Sequence, residues 1–134
     1  MSAYYLSARS LSRLEGVHPA LVAVVKYAIL ITPRDFCVVE GLLTTAKQRE
    51  YYQKGLSRTM NSRHLTGHAV DLLPYRPGGY GDLDSPEALA AFRRIAKAMK
   101  QAAARVRVPI EWGYDLWKWD MPHFQLSAKK YPAA

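Results

Sequence analysis

Apolar residues recur at Leu21, Val22, Val25, Ala28 and Ile29 behind Pro19, the three-and-four spacing that turns one face of a helix toward a core. Pro33 ends that run. From Asp35 to Glu40 the pattern becomes short, apolar and β-branched, which predicts a buried strand closed by Gly41. Thr44 or Thr45 can cap a second helix that runs through Gln48 and Tyr52 and stops at Gly55. Residues 56–61 are polar and predict a loop, after which the stretch Ser62 to Leu73 ends in the manner of a strand. Residues 74–84 hold two prolines and three glycines and predict a long surface loop, a kind that is often functional. Ser85-Pro86 supplies an N-cap and a first-turn proline. The helix that follows carries Leu89, Phe92, Ile95, Ala96, Met99 and Ala103 on one face and ends before Pro109. The succession helix, strand, helix, strand, helix, strand predicts a small single α+β domain over residues 1–134, with helices packed on a mostly antiparallel sheet. There is no internal repeat and no linker.

Composition narrows this picture. A chain of 134 residues, 49% hydrophobic, is large enough for one core without staples. Its single cysteine, Cys37, sits in an apolar run, where a buried thiol is commoner than a nucleophile, and no disulfide can form within the chain. Residues 1–16 contain no continuous apolar stretch of signal-peptide length, so synthesis in the cytoplasm without a signal peptide is expected. The longest apolar segment, residues 20–31, is broken by Lys26 and too short to span a bilayer; no transmembrane segment is expected. A formal net charge of +8 predicts attraction to polyanions, the acidic bacterial envelope among them. Much of that charge (Arg93, Arg94, Lys97, Lys100, Arg105) falls on one helix and reads most simply as a solvated face. No recognition motif of the known nucleic-acid modules accompanies it, so no specific nucleic-acid partner is expected.

Two segments, far apart in sequence, concentrate residues that bind metals or move protons: His64 to Asp71 and Asp115 to Leu126. A catalytic zinc site needs three protein ligands and one open position, and two neutral imidazoles with one carboxylate leave the ion residual positive charge for Lewis-acid work. His64, Asp71 and His123 supply that set, with Gly67 letting the chain turn between the first two. His68 is a rival ligand, because its i, i+4 spacing from His64 would place two imidazoles on one helix face, although Gly67 weakens such a helix. Asp120, three positions before His123 with Pro122 fixing the backbone between them, is the candidate general base and acid. Trp117 and Trp119 either shield it from water, raising its pKa, or grip substrate. His18 reads as a surface residue near a helix start, and Trp112, like the other tryptophans, as core or cleft wall.

Ser62-x-His64-x-x-Gly67-x-Ala69-x-Asp71, then Trp112-Gly113, then Asp120-x-x-His123-Phe124, resembles the zinc peptidases that include D-Ala-D-Ala carboxypeptidases, dipeptidases and phage L-alanyl-D-glutamate endopeptidases. The likeness runs from about Val38 to Leu126. It implies a Hedgehog/DD-peptidase-like fold with a zinc site at the sheet, His64, Asp71 and His123 as Zn2+ ligands, Asp120 as the catalytic acid-base and Ser62 as a substrate contact, unless that serine is only a backbone cap. It implies hydrolysis of a peptide bond in the peptidoglycan stem peptide. Compact size, basic charge and the lack of an export signal favour an L-alanyl-D-glutamate endopeptidase acting as a phage or prophage endolysin. Such an enzyme acts on the cell wall once the membrane is breached, here as a monomer without a separate wall-binding domain. The alternatives are a D-Ala-D-Ala carboxypeptidase of wall metabolism and a metal-stabilised binding module with weakened catalysis. One departure stands out: where the family usually reads Glu-Gly-x-Arg-Thr, this chain reads Glu40-Gly41-Leu42-Leu43-Thr44, with Leu43 in the arginine position. Either another cation (Arg63, Arg58 or Lys47) substitutes, or zinc alone polarises the carbonyl, or the enzyme is weakened.

Overall fold

Helix α1 (Ala8–Arg13) begins where the Ser7 hydroxyl accepts the Ser10 N–H at 3.1 Å. Six residues are too few to leave a periodic signal, and this helix is absent from the sequence expectation. Its partner is strand β1 (Phe36–Glu40): the buried Ser10 hydroxyl accepts the Val38 N–H at 3.0 Å, and Arg13 donates to the Val38 carbonyl at 3.0 Å. In this computed structural model residues 4–57, 60, 62–77 and 82–132 are described. Arg58 and residues 78–81 of the expected long loop therefore lie outside the described residues.

The three longer helices form where the pattern put them. Helix α2 (Pro19–Ile31) starts at His18, whose Nδ1 accepts the Ala20 N–H, and buries Leu21, Val24, Val25, Ala28 and Ile29. Helix α3 (Thr45–Gln53) is capped by the Thr44 hydroxyl on the Lys47 N–H. Helix α4 (Pro86–Val106), capped by Ser85, buries Phe92, Ile95, Ala96 and Met99 and packs against α2.

Strands β2 (Ala69–Pro74), β3 (Ile110–Trp112) and β4 (His123–Leu126) join β1 in a four-stranded antiparallel sheet of order β1-β2-β4-β3, so the expected α+β architecture is correct. The short helix α5 (Gly113–Trp117), also unforeseen, links β3 to the segment leading into β4. The period of two along each strand separates the sheet into two sides. Val38, Leu72, Val70, Phe124, Leu126 and Trp112 belong to the core with α2 and α4, and Trp112 stacks on Phe124 at 6.2 Å. Their neighbours Asp71, His123, Gln125 and Glu111 occupy the other side, in register: Asp71 opposite His123 and Glu111 opposite Gln125. Glu40, two residues beyond Val38, joins them opposite Asp71 because the register of β1 slips between Val38 and Glu40. Cys37 falls on that other side as well. It is half-buried instead of core, with its thiol near the Leu73 carbonyl, and burial raises its pKa, keeping it protonated and unreactive.

Candidate metal centre

His64 is delivered by a 3-10 turn, Arg63–Thr66. The Ser62 hydroxyl opens the turn by accepting the His64 N–H at 3.2 Å. The turn closes at Gly67, with φ +74°, where a Cβ would stand 2.5 Å from the Gly16 carbonyl oxygen. Only glycine combines that left-handed conformation with so close an approach. The turn is tied to its surroundings by the Leu43 N–H on the His64 carbonyl (3.1 Å) and the His18 N–H on the Gly67 carbonyl (2.8 Å). The His64 ring is buried and its Nδ1 lies 2.8 Å from the Gly41 carbonyl. A carbonyl can only accept, so Nδ1 carries the proton and Nε2 faces Asp71 Oδ1 at 3.1 Å.

Asp71 and His123 come from directly opposed positions of β2 and β4, and His123 Nδ1 lies 3.3 Å from the same Asp71 Oδ1. The ligand-type atoms of His64, Asp71 and His123 all fall within 4.8 Å of one another. Burial alone would push the Asp71 carboxyl up, but the hydrogen bonds and charges of His123 and His64 outweigh it and hold the group far below the usual carboxylate range. Burial would likewise lower His64, and is outweighed by the bond and charge of Asp71 and by the Gly41 carbonyl, so its pKa is raised. Two imidazole nitrogens and a carboxylate oxygen converging on one point fit a divalent metal of the borderline, N/O-binding kind.

Asp120 borders the same cleft. Burial raises its pKa and the Asp71 charge adds to this, while His123 and His64 oppose. The backbone around it is pinned: the buried Trp112 indole donates to the Met121 carbonyl at 2.7 Å, and the Leu72 N–H donates to the Pro122 carbonyl at 2.9 Å. Gly113 sits against the Asp120 carbonyl, a position where no side chain fits. The cleft, about 1120 Å³, is walled by Leu43, Tyr51, Ser62, Trp117 and Trp119. Both Trp117 and Trp119 are about half exposed, and the Trp117 ring stands 5.4 Å from that of His123.

Residues 1–129 match the family model of phage L-alanyl-D-glutamate peptidases. The chain belongs to that family. It is 32% identical over 108 residues to the L-alanyl-D-glutamate peptidase of Escherichia phage T5, covering 77% of this chain and 74% of that one. Its fold is similar to the crystal structure of the Serratia marcescens L-Ala D-Glu endopeptidase ChiX, with a TM-score of 0.83 and 41% identity over 98% of this chain and 96% of that one.

Within this family member, the structure brings His64, Asp71, His123, Asp120 and Ser62 to one cleft. His68 does not join them. Its Nδ1 pairs with the Thr66 hydroxyl at 2.7 Å and its ring lies against His18; the left-handed Gly67 breaks any shared helix face with His64, so the rival ligand set with His68 does not form. His18 is a half-buried helix cap. Trp112 is core, not cleft wall. Leu43 is buried in the cleft wall. Of the cations considered as substitutes for an arginine there, Arg63 is held by the Leu126 and Tyr131 carbonyls at 3.0 and 2.7 Å, and Lys47 is half exposed beside Glu50 and the Tyr51 ring. Sequence reasoning missed Gln125 and Glu111. The signal was present, since Gln125 is two positions beyond His123 in a strand and so shares its side.

Proposed function

We propose that this chain is a zinc-dependent endopeptidase that cuts the L-alanyl-D-glutamate bond of the peptidoglycan stem peptide. The observation that carries the reading is the convergence of His64, Asp71 and His123 with Asp120 at the wall of an open cleft. His64 Nε2, Asp71 Oδ1 and His123 Nδ1 would hold the ion. When bound, zinc supplies Lewis acidity, polarising the scissile carbonyl and making water acidic enough to lose a proton near neutral pH. Asp120, whose raised pKa suits it to exchange protons, accepts that proton at a carboxylate oxygen and delivers it to the leaving amine of D-glutamate. Trp117 and Trp119 offer flat apolar walls that hold the peptide and exclude water. The Ser62 hydroxyl already accepts the His64 N–H and keeps a donor proton for a substrate carbonyl. Its substrate places its action at the cell wall, where the chain's basic surface adds salt-sensitive attraction to the anionic envelope. Among the described residues no helix is long and apolar enough to cross a membrane.

The test is a mass-spectrometric digest of purified peptidoglycan with and without a chelator. A new free amine on D-glutamate, abolished by the chelator and restored by zinc, is expected. Release of free D-alanine would instead make it a carboxypeptidase, and retained zinc without turnover a binding module. Asp120→Asn should keep its zinc while losing roughly 10²–10⁴-fold in rate.

A further inference from the structure

The two histidines of the cluster turn different ring nitrogens toward Asp71, and the far side of each ring explains why. For His64 the far nitrogen is Nδ1, fixed by the Gly41 carbonyl. For His123 it is Nε2, which lies 2.8 Å from Gln125 Oε1. A glutamine side chain could present either its oxygen or its NH2 there, and the two choices have opposite consequences. An NH2 would demand a lone pair on Nε2 and force the proton onto Nδ1, closing that nitrogen to a metal. An oxygen demands a proton on Nε2 and leaves the Nδ1 lone pair free.

The choice is made one residue further away. Gln125 Nε2 lies 3.1 Å from Glu111 Oε1, directly across the β3–β4 pair, and that same oxygen accepts the Ala128 N–H at 3.3 Å. An ionised carboxylate has no proton to donate, so the side of Gln125 facing it must be the NH2 and the side facing His123 must be the oxygen. Gln125 is buried, as is His123, so water does not scramble the arrangement. The chain of constraints runs Glu111, Gln125, His123, and it ends on the nitrogen that points at Asp71.

We infer that Gln125, oriented by Glu111, is a positioning residue that fixes the tautomer and ring orientation of His123, and thereby sets how tightly the centre holds its metal. This rests on the metal reading of the cluster proposed above but not on the bond cleaved. Partners of this kind behind a ligating histidine are typically worth about 10–100-fold in metal affinity.

Zinc affinity, measured by competition with a chromogenic chelator on the folded chain, gives the first readout. Gln125→Leu and Glu111→Ala should each weaken zinc by about 10-fold or more. Glu111 touches no ligand, so its effect should vanish in the Gln125→Leu background. If Glu111→Ala weakens zinc equally with or without Gln125, it acts through the Ala128 segment and the proposal is overturned. Unchanged affinity in Gln125→Leu overturns it too. Long-range proton–nitrogen correlation spectra of the unmutated, zinc-loaded chain cover the case in which a variant fails to fold. They should show His64 protonated on Nδ1 and His123 on Nε2. A His123 proton on Nδ1 would refute the relay outright, and a chain that takes up no divalent metal would refute both this and the reading beneath it.

Discussion

Replacing Gly113 by alanine adds one carbon at the most crowded point behind the site. Gly113 opens α5 and is not among the glycines with positive φ, so alanine meets no backbone penalty there. Intrinsic helix preference would in fact favour alanine, by up to about 1 kcal/mol. Against this, the new Cβ would overlap the Asp120 carbonyl oxygen and lie 2.9 Å from His123 Cβ and 3.1 Å from Asp120 Cβ. A backbone carbonyl cannot swing aside as a long side chain can. The segment from Asp120 to His123, tied by Trp112 and Leu72, would have to move by roughly 0.5–1 Å, and a misplacement of that size costs on the order of 10²-fold in rate. Overpacking should also destabilise by about 1–3 kcal/mol, which lowers the melting temperature by roughly 4 °C per kcal/mol for a domain of this size. The assay is the rate of amine release from peptidoglycan beside a thermal melt and a zinc determination. A variant with native turnover and an unchanged or higher melting temperature would show that Gly113 does not hold Asp120 and His123 in place.

Metal analysis should find zinc lost from Asp71→Ala and fully retained in His68→Ala; the reverse would make His68 the ligand. Leu43→Arg places a cation on the cleft wall and should raise kcat/KM on stem peptide, by up to about 100-fold if the guanidinium reaches the developing oxyanion; an unchanged rate would mean that the reaction already has its donor. The metal-free protein should have a stability window bounded on both sides. The depressed Asp71 contributes stability above its unfolded pKa and loses it as pH falls through the folded value, whereas the raised His64 contributes below its unfolded pKa and loses it as pH rises through the folded one. Thermal melts of chelated protein should therefore fall toward alkaline pH, and zinc should abolish that fall; a chelated protein that gains stability between pH 6 and pH 9 contradicts the pairing.

The longer helices and the first two strands were legible because each runs far enough to show its period and ends on an identifiable signal: Pro19 and Pro33 around α2, Thr44 before α3, Ser85-Pro86 before α4. The five-residue α5 and the three-residue β3 were not, since a period needs more than one turn or pleat to be seen. The site was legible as residue types in a motif, and the structure brings all five of its expected residues to one cleft. What the motif could not convey was orientation. Which ring nitrogen of each histidine faces Asp71 depends on Gly41 and Gln125, and the role of Gln125 depends on Glu111, a residue 14 positions away that only strand pairing brings opposite. His68 shows the converse: correct spacing for a ligand, undone by the left-handed glycine before it.

The attachment of α1 to Val38 bears on how the molecule behaves in a crowd. β1 is an outer strand of the sheet, and the groups Ser10 and Arg13 occupy are those through which another chain would add a further strand. At the opposite margin β3 offers only three residues. With α1 bonded to one edge at Val38 and only three residues at the other, neither edge of the sheet is a ready template for a further strand. Loss of the Ser10 and Arg13 bonds would show itself first as aggregation, before any change in catalysis.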